Sequence, residues 1–163
     1  MFAKKATDGG HANYFSARHF SLLVFPVIVF INGMCPYLGL KTESSFAMFS
    51  NLRTEGGVTN HYFMPIELQI FGYQKDAVEF ISSSDPNLQK LADNNQLLVY
   101  QKFKSYFSDK KPAMVEYIRN GNRYRYEAGN AELYNELTQV NPLLRKLFDF
   151  RHFSKDGPQP CAH

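Results

Sequence analysis

One uninterrupted apolar segment limits what this chain can fold into. Residues 20–40 contain no charged side chain, and Arg18, His19 and Lys41 flank them. A helix of roughly 20 mostly apolar residues crosses the hydrocarbon core of a bilayer, which is about 30 Å thick. No polar stripe interrupts the segment, as it would in a surface helix of a soluble protein. The sequence therefore predicts one transmembrane helix over residues 20–40 and a single-pass membrane protein.

A buried helix of a soluble protein is the alternative for the same segment. Pro26 would cost about 3 kcal/mol inside a soluble helix, whereas neighbouring groups in a membrane can satisfy the freed carbonyl. A cleaved signal peptide is disfavoured because the polar region before the segment is long and no small-residue cleavage site follows. The positive charges on the two sides of the segment are too evenly balanced to orient it.

Charge and composition exclude several classes of function. Lys and Arg number 18 against 15 Asp and Glu, and the charges are interspersed along the chain. Nucleic-acid binding needs a concentrated basic surface, so we expect no nucleic-acid partner. The sequence has no phosphate-binding loop, no dinucleotide fingerprint and no Gly-x-Ser-x-Gly frame. It predicts no cofactor and no catalytic residue, and it leaves open whether the chain is part of an enzyme.

The segments around the apolar run differ in character. We expect a polar lead-in over residues 1–19, a juxtamembrane helix and loop over 41–61, an α+β domain over 62–150 and an extended tail over 151–163. In the juxtamembrane segment, apolar residues recur at three-residue spacing and a Gly-Gly pair follows, which indicates a short helix lying on the membrane. The residues that define this helix are its candidate caps Thr42 and Ser44 and its apolar side chains Phe46, Phe49 and Leu52.

The α+β domain is predicted to hold a small, mostly antiparallel sheet and several short helices. Apolar residues alternate with polar ones over 66–70 and again over 78–80, which indicates two strands. Asp85 followed by Pro86 indicates the start of a helix. The helical spacing of apolar residues predicts three more helices. The inward residues of the first are Val99, Phe103, Tyr106 and Phe107. Those of the second are Leu133 and Leu137, and those of the third are Leu143, Leu144, Leu147 and Phe148.

A β-hairpin is the clearest local prediction. Asn120 and Gly121 suit the centre of a two-residue type I′ turn, where both positions need positive φ. With the turn centred there, one face of the hairpin is aromatic, and the other pairs Glu116 with Arg125. The full register places Val115 opposite Tyr126, Glu116 opposite Arg125, Tyr117 opposite Tyr124 and Ile118 opposite Arg123.

Two groups of residues are candidates for ligand chemistry. Arg53, Glu55, Asn60 and His61 flank the Gly-Gly turn next to the predicted membrane helix. They could hold a polar headgroup or a quinone-like ligand, with Arg53 binding the anion and His61 acting as acid or base. A capped, solvated loop is the alternative for these four residues. A second group, His152, Cys161 and His163, offers imidazole and thiolate ligands without the close spacing of a metal site, so we predict no metal.

Residues 32–42 (NGMCPYLGLKT) and 45–57 (SFAMFSNLRTEGG) resemble the run after the last membrane helix of a group of multi-pass membrane proteins. The ending GPQPCAH resembles the terminus of the same proteins. This group is similar to the horizontally transferred transmembrane family, whose better known relatives are γ-carboxylase-like proteins dependent on vitamin K. The resemblance implies that the chain is the C-terminal portion of a multi-pass architecture, although it carries one candidate span where the group has several.

These observations predict a membrane-anchored accessory or interaction domain that performs no catalysis by itself. Its expected partners are membrane lipid and other membrane helices or subunits. One alternative is part of a membrane enzyme that acts on a lipid-like or carboxylated substrate. Another is a soluble α+β binding module in which the apolar helix is buried.

Overall fold

The structure, a computed structural model, describes residues 21–47, 52–62 and 65–157. The predicted α+β class is confirmed, because a five-stranded antiparallel sheet carries several short helices. The strand order is β4-β3-β1-β2-β5. In chain order the elements are α1 (Ser21–Leu38), β1 (Ala77–Ser83), α2 (Pro86–Asp93), β2 (Gln96–Val99), α3 (Tyr100–Lys110), β3 (Met114–Arg119), β4 (Asn122–Glu127), α4 (Ala131–Thr138), α5 (Pro142–Leu147) and β5 (Phe153–Ser154). The predicted lead-in over 1–19 lies outside the described residues.

An aromatic cluster forms the main core between the sheet and helices α2, α3 and α4. Phe103 lies at its centre, with ring centroids 5.1 Å from Phe80 and 5.0 Å from Tyr117. Phe107 meets Tyr126 edge to face at 4.8 Å. Such edge-on contacts add to the gain from burying the rings, so the high Phe and Tyr content is used for core packing.

The predicted hairpin is confirmed residue by residue. Strands β3 and β4 pair in the expected register, and Asn120 and Gly121 have φ values of 51° and 79°. The expected ion pair is wrong in detail, because Glu116 binds Arg123 at 2.7 Å, and Arg125 instead binds Glu127 at 2.5 Å. A long arginine side chain can reach a diagonal neighbour across the ladder, as Arg123 does, and Arg125 and Glu127 share one face of the same strand because they are two residues apart.

Helix α1 replaces most of the predicted span. Among the helices of the described segments, none combines the length and the apolar character needed to cross a membrane, so the predicted transmembrane helix over 20–40 is not supported. The helix has two contrasting halves. The large apolar side chains over residues 22–31 are 45% to 74% exposed, whereas Cys35 is buried and Gly33 lies against the ring of Phe46.

Several predicted local elements differ from the structure. Residues 41–47 and 52–61 form turns where a juxtamembrane helix was expected, and Phe49 lies outside the described residues. The expected strand over 66–70 is a single 3-10 turn (Ile66–Leu68) that pairs with no described strand. In α5, Leu143 and Leu147 are exposed where we expected them to point inward, because a six-residue helix resting on the domain buries only part of its surface.

The α+β domain extends beyond residue 150, because residues 153–154 of the predicted extended tail form a strand of its sheet. Strand β5 pairs with β2, and the sequence analysis predicted neither strand. Gln96 lies opposite Ser154, and Leu97 lies opposite Phe153. Phe150 and Phe153 are buried with Val99 in a second apolar cluster. The C-terminal segment therefore closes one edge of the sheet.

We expect Tyr126→Ala to lower the free energy of unfolding by about 3 kcal/mol or more, because it removes a buried ring from the main core. Arg125→Ala on the opposite face should change it little, since exposed ion pairs contribute little to stability. Urea denaturation followed by circular dichroism measures both. Equal losses from the two variants would contradict the assignment of the two hairpin faces.

Candidate functional site

The predicted ligand loop is folded inward. Arg53 is 7% exposed and Glu55 is fully buried. One carboxylate oxygen of Glu55 accepts a hydrogen bond from Arg151 Nε at 2.9 Å, and the other accepts one from the backbone N–H of Thr54 at 3.0 Å. A ligand would have to displace Arg151 to reach this carboxylate. Binding of a headgroup by Arg53 and Glu55 therefore stays a prediction, and it would require this loop to open.

Arg151 joins the C-terminal segment to the turns that follow α1. Besides Glu55, its guanidinium donates hydrogen bonds to the carbonyl of Ala47 at 3.3 Å and to the carbonyl of Leu52. Nearby, the backbone N–H groups of Thr42 and Glu43 both donate to the Asp149 carbonyl at 3.1 Å. We call the contacts of residues 42–47 and 52–55 with residues 149–153 the seam. It joins residues that lie 96 to 109 positions apart in the sequence.

Arg53 contributes to the same seam from the opposite side. Its guanidinium lies over the ring of Phe153, 5.0 Å from the centroid, in a cation–π contact. Burial lowers the pKa of Arg53, and the nearby Glu55 carboxylate offsets part of that shift. An arginine remains charged despite such a shift, so Arg53 brings a second positive charge to the carboxylate.

The loop from Arg53 to Asn60 is closed by its own hydrogen bonds. The side-chain oxygen of Asn60 accepts from the backbone N–H of Arg53 at 2.7 Å, and the Asn60 N–H donates to the Arg53 carbonyl at 3.3 Å. Gly56, with φ of 73°, is required here, because a Cβ would lie 2.8 Å from the Phe153 ring. His61 packs edge-on against Tyr37 of α1 at 5.1 Å. The four predicted residues therefore lie in one region. Their contacts help to join α1 to the sheet.

Two buried glutamines extend these contacts, and sequence analysis missed both. Gln69 donates from its side-chain amide to the Thr54 carbonyl at 2.9 Å and to the Gln74 side-chain oxygen at 3.0 Å. Gln74 in turn donates to the carbonyl of Pro36 at 3.2 Å. Pro36 lies near the end of α1, so this network fixes the helix end to the segment that leads into β1. Nothing in the local sequence distinguishes these glutamines from surface ones.

A separate cleft of about 430 Å³ lies beside the seam. Its floor is apolar and includes Leu88, Leu98 and Phe150, which are all buried. Charged and polar groups form the walls, and the complete lining is Glu43, Asn87, Leu88, Lys90, Leu91, Gln96, Leu98, Lys102, Tyr106, Asp149, Phe150, Arg151 and His152. An apolar floor with a few polar groups around it is the usual form of a small-molecule site, and the volume falls in the usual range.

Metal binding finds no support in the described segments. His152 lies in the wall of the cleft, whereas Cys161 and His163 fall outside the described residues. Within residues 21–47, 52–62 and 65–157, no group of His, Cys, Asp and Glu side chains is arranged to hold a metal ion.

Comparisons of this chain with protein-family models, curated proteins and solved structures find no match. The resemblance to the horizontally transferred transmembrane family therefore stays a hypothesis drawn from the residues themselves.

We expect Arg151→Met to destabilise the protein by about 3–5 kcal/mol, because it leaves the Glu55 carboxylate buried without its ion-pair partner. The double variant Glu55→Gln/Arg151→Met should be less destabilised than the single variant, because no buried carboxylate is left without its Arg151 partner. Arg125→Met is the matched control on the surface. Thermal and chemical unfolding measure all three, and a loss for Arg151→Met no larger than for Arg125→Met would contradict the role of the pair.

Proposed function

We propose that this chain is a membrane-anchored accessory or interaction domain, with the first half of α1 as its anchor. The observation that carries the proposal is the exposure of consecutive large apolar side chains over residues 22–31. Soluble monomers rarely expose contiguous apolar patches of this kind, and burial of apolar surface gains about 25 cal/mol per Å². A bilayer would cover the side chains on every side of the helix at once.

The length of the exposed half of α1 indicates how deeply it would enter the bilayer. At 1.5 Å per residue, residues 22–31 rise about 15 Å, which is half of a hydrocarbon core about 30 Å thick. Beyond this half the helix enters the domain, where the Asn32 side-chain amide donates to the Ser44 carbonyl at 2.7 Å. The membrane surface would then lie near residue 32, and the seam would hold the domain against the anchor.

Lipid and neighbouring membrane helices are the partners that fit this anchor. In a multi-pass assembly, other helices would cover part of the surface of residues 22–31 and lipid would cover the rest. The alternative of a soluble module requires these side chains to be buried within the domain, whereas they are exposed. The alternative of a membrane enzyme has less support, because Arg53 and Glu55 are occupied by protein contacts.

Liposome flotation tests the anchor. We expect the wild-type chain to float with vesicles and Phe25→Asp/Ile28→Asp to remain at the bottom of the gradient, because charged side chains oppose insertion. Leu143→Asp/Leu147→Asp on α5 is the matched control, since those leucines are equally exposed. Flotation of all three proteins, or of none, would refute the proposal.

Insertion depth can be measured with one tryptophan, because the chain contains none. In Phe25→Trp, bromine placed near the ends of the lipid chains should quench fluorescence more strongly than bromine near the headgroups, because residue 25 would lie deep in the leaflet. Leu143→Trp should not be quenched by either lipid. Stronger quenching of Phe25→Trp near the headgroups would show that α1 lies along the surface instead.

A further inference from the structure

Two opposite charges face the cleft without pairing with each other. Lys90 belongs to α2, and Glu43 follows α1, so they come from different parts of the chain. The other charges of the lining are already used, since Lys102 pairs with Asp149 and Arg151 with Glu55. Within the described part of the chain, neither Lys90 nor Glu43 takes part in an ion pair. The cleft therefore offers one ammonium and one carboxylate to a ligand.

The surface between these charges is apolar. Leu88, Leu98 and Phe150 are 1%, 6% and 1% exposed, and Leu91 is half-buried beside them. A ligand that fits must therefore carry a negative group, a positive group and an apolar portion within one small molecule. The volume of about 430 Å³ is too small for a folded partner and suits a small ligand.

We propose that this cleft binds a small zwitterion with an apolar side chain, of the chemical class of the α-amino acids. The ligand carboxylate binds the Lys90 ammonium, the ligand ammonium binds Glu43, and the apolar side chain contacts the floor. An analogue that lacks one charge leaves a protein charge without a partner in the occupied cleft. Sites that bind a polar group discriminate strongly against analogues without it.

The cleft lies beside the seam, so its occupant would contact both sides of the seam. Glu43 and Asp149, which are joined by a backbone hydrogen bond, both line it. A bound zwitterion would then strengthen the attachment between the anchor and the sheet, because a ligand that binds only the folded state stabilises it. The inference goes beyond the proposed anchoring and does not depend on it, since the cleft lies wholly within residues 43–152.

Calorimetry on the full chain, carried out both in buffer and with lipid nanodiscs, tests the site with three soluble probes: L-phenylalanine, phenethylamine and 3-phenylpropionate. They share a ring and differ in their charges. We expect phenylalanine to bind about tenfold or more tightly than either analogue, because each analogue loses one charged hydrogen bond. Lys90→Gln should weaken phenylalanine binding to the level of phenethylamine. Glu43→Gln should weaken it to the level of 3-phenylpropionate.

Matched controls are Lys146→Gln on α5 and Glu132→Gln on α4, which are exposed and lie outside the cleft. Both should bind phenylalanine as the wild type does. Equal binding of the three probes, no binding of phenylalanine at millimolar concentration, or cleft variants that behave like the controls would each overturn the proposal. Flotation remains a separate measurement, so a failed anchor and a failed site give different results.

Discussion

A fully buried carboxylate at Glu55 is the constraint on which the arrangement of the molecule depends. A charge removed from water must be paired, and Arg151 supplies the partner from 96 residues further along the chain. The same guanidinium holds two backbone carbonyls of the segment after α1. The pair therefore fixes the position of the turns beyond α1 relative to the last strand of the sheet.

The rest of the sheet depends on apolar packing. The main core gathers aromatic side chains from three strands and two helices, and a smaller cluster around Val99, Phe150 and Phe153 connects it to the seam. The polar seam therefore joins the turns after α1 to the small cluster, and the small cluster packs beside the main core. A second connection runs from Pro36 of α1 through Gln74 to the segment before β1, so a force on the helix would reach the sheet by both routes.

The position of the cleft gives this arrangement a functional meaning. Leu88 and Leu98 of its floor belong to the main core, whereas Glu43 and residues 149–152 belong to the seam. Under the two proposals made above, the ligand cleft lies beside the seam that holds the domain to its membrane anchor, so ligand binding would be connected with the position of the anchor. The candidate residues of the Gly-Gly loop take a structural place in this scheme, because they hold the two sides together.

Local interactions account for what the sequence determined by itself. The hairpin turn depends only on Asn120, Gly121 and their neighbours, so the sequence predicts it. The same holds for the start of α2, where Asp85 accepts hydrogen bonds from the N–H groups of Asn87 and Leu88. The apolar character of residues 22–31 is equally local. Strand β2, the strand role of residues 153–154 and the burial of Glu55 depend on partners far away in the chain, such as Arg151. Only the tertiary structure decided these features, because a short strand or a lone charge has no preferred place until its partner is brought beside it.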